Sequence, residues 1–125
     1  MTRNSVLKLL IVLCAFSSIA ASPSPMTFAQ ASSAFDSQPV NGKTESYLNS
    51  WGEFNNSHKL DEKDGCYFKA PGPTRQILII DASGTVVQFL SDVNNERTNC
   101  FRHSYLHVRF PKPPFAPFFV HMDMQ

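Results

Sequence analysis

The sequence predicts a small α+β domain in the order helix, strand, strand, helix, strand, and three stretches predict it. QILIIDASGTVVQFLS holds two runs of aliphatic and β-branched residues broken by turn residues, the pattern of a hairpin. On either side of it, apolar residues fall at helical spacing. At the end of the chain, Phe118, Val120, Met122 and Met124 alternate with Phe119, His121, Asp123 and Gln125, the period of two of a half-buried strand.

The N-terminus carries export grammar. Arg3 and Lys8 precede an apolar run at 9–16 that fades into the small residues SSIAAS. Two cut sites fit the small-residue rule: one after Ala20, with Ser18, and one after Ala31, with Ala29, the second being preferred. A signal peptide over 1–31 is therefore expected. The apolar run is shorter than the ~20 residues that a membrane-crossing helix needs, so no stable membrane span is expected in the mature chain. Cys14 lies inside that run behind the bulky Leu13, which argues against a lipid anchor there. Residues 32–44 are rich in Ser, Ala, Gln and Asn without an apolar period and read as a disordered lead. The domain itself is expected over 45–125.

Its first element is an amphipathic helix of about 12 residues, with Tyr47, Leu48, Trp51 and Phe54 on one stripe, Gly52 as a weak point, and an end before LDEKDG. GCYFKAPGP is irregular. The first strand, at 76–80, is apolar on both faces, as a central strand is; turn residues at 81–84 lead to a second strand at 85–90. The asparagines of SDVNN can cap a helix at 96–108 whose stripe is Cys100, Phe101, Ser104, Tyr105 and Val108. FPKPPFAPFF follows. Proline fixes its own φ and lacks an N–H, so this stretch is neither helix interior nor central strand. It is an extended connector into the last strand.

A length of 125 residues, a net charge of +1 and a pI near 7.8 fit one domain and give no indication of a nucleic-acid partner. Once the signal is removed, two cysteines remain, Cys66 and Cys100, in a chain sent to an oxidising compartment. One disulfide is expected, 100 − 66 = 34 residues apart. In the chain-entropy account such a loop contributes roughly 3 to 4 kcal/mol. No CxxC spacing supports a catalytic or metal-bound thiol pair. His103 and His107 are four apart, as a metal pair on one helix face would be, but no third ligand accompanies them and they read as surface histidines. His58 with Asp61, Glu62 and Asp64 reads as a solvated polar run, and His121 falls on the outward face of the last strand. No Ser, His, Asp arrangement, phosphate loop or carboxylate pair stands out. The reading assigns no catalytic residue, metal or cofactor and expects no enzyme.

The run from IDASGTVVQF to RFPKPPFAPFFVHMDM resembles the C-terminal domain of the TonB and TolA family of cell-envelope proteins. The features that carry the resemblance are the apolar strand ending in Asp81, the turn glycine Gly84 followed by Val86, the helix leading into Arg109, Phe110, Pro111, Pro113 and Pro114, and the short closing strand. It covers about half the chain, or about two thirds with the Tyr47 helix. Cys66 and Cys100 resemble the cysteine pair of the third domain of TolA, although Cys66 lies farther upstream of the hairpin glycine. The resemblance implies a three-stranded antiparallel sheet with two helices on one face. It also implies a periplasmic interaction module that binds an envelope protein or peptide segment by strand addition. Phe118, Phe119, Val120, His121 and Met122 would form the contact, with Phe119 and His121 pointing away from the core. Family transducers have a membrane anchor and a long linker, neither of which is read here, so a free exported domain is expected. The alternative is a secreted inhibitor or immunity-type protein on the same scaffold; a structural envelope protein without a specific ligand is a third reading.

Overall fold

A computed structural model describes residues 24–125. The expected signal segment up to residue 23, with the alternative cut after Ala20, lies outside the described residues. The organising element is β1 (Thr74–Ile80), in which every residue except Arg75 is buried. A strand buried on both faces needs a partner on each edge and a cover on each side. The partners are β2 (Val86–Ser91) and β3 (Phe118–Met124), both antiparallel to it, in the order β2-β1-β3.

The covers are three helices. α2 (Gly42–His58) and α3 (Glu96–Tyr105) lie on the face of Leu78 and Ile80, where Tyr47, Trp51, Phe101, Tyr105, Phe110, Phe118 and Val120 complete the main core. The opposite face, carrying Ile77, Ile79 and Phe119, is closed by α1 (Phe28–Asp36) through Ala31, with Phe28, Ala34 and Phe35 packed around it. Two helices on one face is thus half of the arrangement, because α1 adds a layer on the other.

Each helix starts with a reciprocal cap: Thr27 with Gln30, Asn41 with Thr44, and Asn95 with Thr98. Such boxes satisfy two otherwise orphaned backbone donors at a helix start. Residues 32–44, expected to be a disordered lead, instead hold the second half of α1 and the start of α2. Ala31 is fully buried inside α1, and a cut after it would divide the helix. The capped start at Asn41 also makes α2 a helix of 17 residues, longer than the ~12 expected, and leaves Leu48 on its exposed side.

α3 ends at Tyr105, short of the expected Val108, because Leu106 turns extended and His107 takes φ 71. From there the chain runs along the start of β2. His107 N–H donates to the Val86 carbonyl, Val86 N–H to the Val108 carbonyl, and Phe110 N–H to the Gly84 carbonyl, each at 2.9 Å. A 3-10 turn, Lys63–Phe68, joins α2 to the sheet and carries Cys66, bonded to Cys100 on α3 with their Cα atoms 5.3 Å apart. The expected disulfide is present.

Candidate functional site

The residues that set the position of β3 begin in the hairpin turn. Asp81 Oδ1 accepts from the main-chain N–H of Ser83 and of Thr85, at 2.9 and 3.0 Å, and from Ser83 Oγ at 2.6 Å. Burial would raise the Asp81 carboxyl, but these hydrogen bonds and the charge of Arg109 hold it below its usual value. Gly84 closes the turn at φ 93, and its position faces the Phe110 carbonyl so closely that a Cβ there would lie 2.1 Å from that oxygen. The turn glycine and the start of the proline connector are therefore one structural unit. Phe110 stacks on Trp51 at 4.9 Å, and the Pro111 carbonyl accepts from Tyr47 Oη at 2.9 Å. Burial pushes the Tyr47 hydroxyl up to about 12, so it stays a proton donor. Pro113 and Pro114 carry the chain on to β3, as the connector reading expects.

Within β3, residues alternate in which edge their main-chain groups face, since hydrogen-bonded and non-bonded pairs alternate in an antiparallel ladder. Gln38 shows the phase. Its side-chain amide accepts from Phe119 N–H at 2.7 Å and donates to the Phe119 carbonyl at 3.0 Å, doing for that residue what a neighbouring strand would do. Phe119 thus faces outward with its backbone, and so do His121 and Asp123. Among the described residues no hydrogen bond outside the ladder reaches the main-chain groups of these two. Beyond them a main-chain oxygen of Gln125 accepts from Arg97 Nη2 at 2.9 Å and from Tyr67 Oη. Arg97 is almost fully buried, with its guanidinium 4.4 Å from the centre of the Tyr67 ring and a further bond to the Gly72 carbonyl. The open stretch at His121 and Asp123 thus lies between a residue held by Gln38 and an oxygen held by Arg97 and Tyr67.

The side chains expected to contact a partner are distributed differently. Phe118, Val120 and Met122 are buried in the main core, as their period requires. Phe119, expected to point into solvent, is 7% exposed beneath α1. His121 is half-buried, stacked on Phe35 with ring centres 5.3 Å apart, and its Nε2 lies 3.5 Å from Asp123 Oδ1. Asp123 is the exposed side chain of this edge. Gln38, Phe35 and Arg97 escaped sequence reasoning, although a strand apolar on both faces demands a second cover and Phe35 shares a helical face with Phe28 and Ala31.

The opposite edge of the sheet is partly closed, since residues 107–110 bond along the start of β2 and Gln88 holds the N-terminal segment through Met26 N–H and the Ser24 carbonyl. His103 lies on α3 while His107 lies beyond its end with positive φ, so the two do not share a helix face. His58 stacks on Phe54 at 3.9 Å. Among the described residues no group of three or more His, Cys, Asp or Glu side chains has metal-holding geometry, and no helix is long and apolar enough to cross a membrane. No family model, curated protein or solved structure matches this chain.

Proposed function

We propose that this chain is an exported interaction module of the cell envelope, similar in kind to the C-terminal domains of the TonB and TolA family, which binds an extended segment of another envelope protein along β3. The observation that carries the reading is the open main chain at His121 and Asp123. An edge strand with unpaired N–H and C=O groups is a template for another strand. Gln38 already satisfies Phe119, and Arg97 and Tyr67 take the Gln125 oxygen, so the incoming segment meets the N–H and C=O groups of His121 and Asp123 in the gap between them. Side-chain selectivity comes from His121 and Asp123, because Phe119 is covered. The Cys66–Cys100 disulfide suits an oxidising compartment and supports export.

The test uses tagged protein to capture partners from periplasmic extract, alongside His121→Pro. Proline at 121 removes one outward N–H and leaves the pairs of β3 with β1 intact. Capture should fail with the substituted protein while its circular dichroism and melting curve stay those of a folded domain. In the complex, the amide protons of His121 and Asp123 should gain protection from exchange. Equal capture by parent and variant would overturn the strand-addition reading.

A further inference from the structure

The two halves of the Cys66–Cys100 bridge sit in different surroundings. Cys66 is fully buried, and its Sγ lies 3.8 Å from the hydroxyl oxygen of Ser104, itself buried. A bridged sulfur has no proton to give, so in this contact the serine hydroxyl is the donor. Cys100 is half-buried and lines a surface recess of about 730 Å³ with Asp64, Lys69, Glu96, Asn99 and His103, all five exposed. Cys66 takes no part in that lining. We infer that Cys100 is a site of thiol–disulfide exchange, where a small-molecule thiol of the glutathione class is taken up as a reversible cap while Cys66 leaves as a thiolate. This goes beyond the strand-acceptor reading and does not rest on it.

The entering thiolate attacks Cys100 Sγ, a new S–S bond forms there, the bond between Cys66 and Cys100 breaks, and its electron pair stays on Cys66 Sγ. One disulfide and one thiolate give one disulfide and one thiolate, so no outside oxidant is consumed. The proton of the entering thiol passes to water, and Cys66 recovers one afterwards. Access decides which sulfur is attacked, and the stability of the departing thiolate decides which leaves. An entering thiolate approaches from the side away from the partner sulfur, and the recess offers that approach at Cys100. Attack at Cys66 is closed at the start, since that residue has no exposed surface. A thiolate in apolar surroundings is costly, but the Ser104 hydroxyl already directed at Cys66 Sγ meets the charge as it forms. Access and leaving-group stability thus select the same direction. The recess lies within the roughly 300–1,000 Å³ of small-molecule sites. Its rim holds the ammonium of Lys69 and the carboxylates of Asp64 and Glu96, which match the carboxylates and the ammonium of a thiol tripeptide.

The test adds millimolar reduced glutathione to the purified oxidised chain, with aliquots acid-quenched and alkylated at early times, before the freed thiolate can shuffle the cap. Trypsin separates the two cysteines into DGCYFK and TNCFR, which mass spectrometry reads independently. Glutathione should be found on Cys100 and the alkyl label on Cys66, in about tenfold excess over the reverse, and the preference should vanish in urea-unfolded protein, where both sulfurs are equally open. Ser104→Ala removes the donor without adding bulk and should slow the early exchange about tenfold, with the cap still falling on Cys100. A preference for Cys66, an even split in the folded protein, or no adduct until the chain unfolds overturns the proposal. A rate in Ser104→Ala as fast as the parent's overturns the part assigned to that hydroxyl.

Discussion

Replacing Gly84 by Ala tests the lock between the hairpin turn and the proline connector. Two costs apply. The first is conformational: at φ 93 a side chain enters the region that L-residues avoid, a penalty of about 1 kcal/mol. The second is contact: the new Cβ would lie 2.1 Å from the Phe110 carbonyl oxygen and 2.8 Å from that of Pro111, both backbone atoms that cannot rotate away. Relief requires the 84 and 110 segments to separate, which breaks the Phe110 N–H bond to Gly84 and strands a buried donor, at about 2 kcal/mol. The expected total is about 3 kcal/mol, or a fall in Tm of roughly 12 to 24 °C for a domain of this size. Gly72 supplies the control, since it has nearly the same φ, 94, with nothing within 4 Å of its would-be Cβ. Gly72→Ala should cost only the conformational share, about 1 kcal/mol. Urea denaturation followed by circular dichroism compares the two. If Gly84→Ala and Gly72→Ala fall at the same midpoint, the turn and the connector are not locked together and the argument from close approach is wrong.

Three further outcomes follow from the packing. Cys100→Ser should lower stability by about 3 kcal/mol through the loss of the 34-residue cross-link, and thiol titration of the unsubstituted exported protein should find no free thiol in the folded domain. Tyr105→Phe removes the hydroxyl that donates to Asn55 Oδ1 at 2.7 Å and leaves a buried amide oxygen unpaired, costing about 1 to 3 kcal/mol by denaturation. The Asp81 carboxyl is held below its usual value in the folded protein, so its contribution to stability is present above the unfolded value and is lost as pH falls through the folded one. Melting curves taken from pH 6 down to pH 2 should therefore fall less steeply for Asp81→Asn than for the parent, the difference opening as pH drops below the ordinary carboxyl value near 4.

The parts of the fold that sequence reasoning reached are those in which local pattern and burial coincide. The IleLeuIleIle run of β1 could only be a central strand, and the alternation from Phe118 to Met124 fixed which side of β3 joins the core. The disulfide followed from there being two cysteines in a chain read as exported. α1 was missed although its signals are in the sequence: Thr27 and Gln30 form a capping box, and Phe28, Ala31 and Phe35 fall on one helical face. The small residues after the apolar run describe a cleavage region equally well, and that reading covers the same stretch. The end of α3 was not legible. Apolar spacing continues to Val108 without glycine or proline, and what stops the helix is tertiary, the pairing of His107 and Val108 with Val86. The role of Gln38 was equally hidden, since nothing in a glutamine 81 residues before Phe119 marks it as a substitute for a strand.

The cross-link between Cys66 and Cys100 also decides how tension would travel through the molecule. In the reduced chain, a pull between the segment before β1 and the C-terminus loads the adjacent ends Thr74 and Met124, and the β1–β3 pairs open one after another like a zipper. In the oxidised chain the load crosses at Cys66 directly into α3 and reaches β3 from its Phe118 end, so β1 and β2 lie off the load path. The 34-residue span they occupy is withheld from extension, about 120 Å of contour length. Tension on the end of β3 would therefore stretch the connector and peel the last strand from a hairpin that stays folded behind the sulfur bridge.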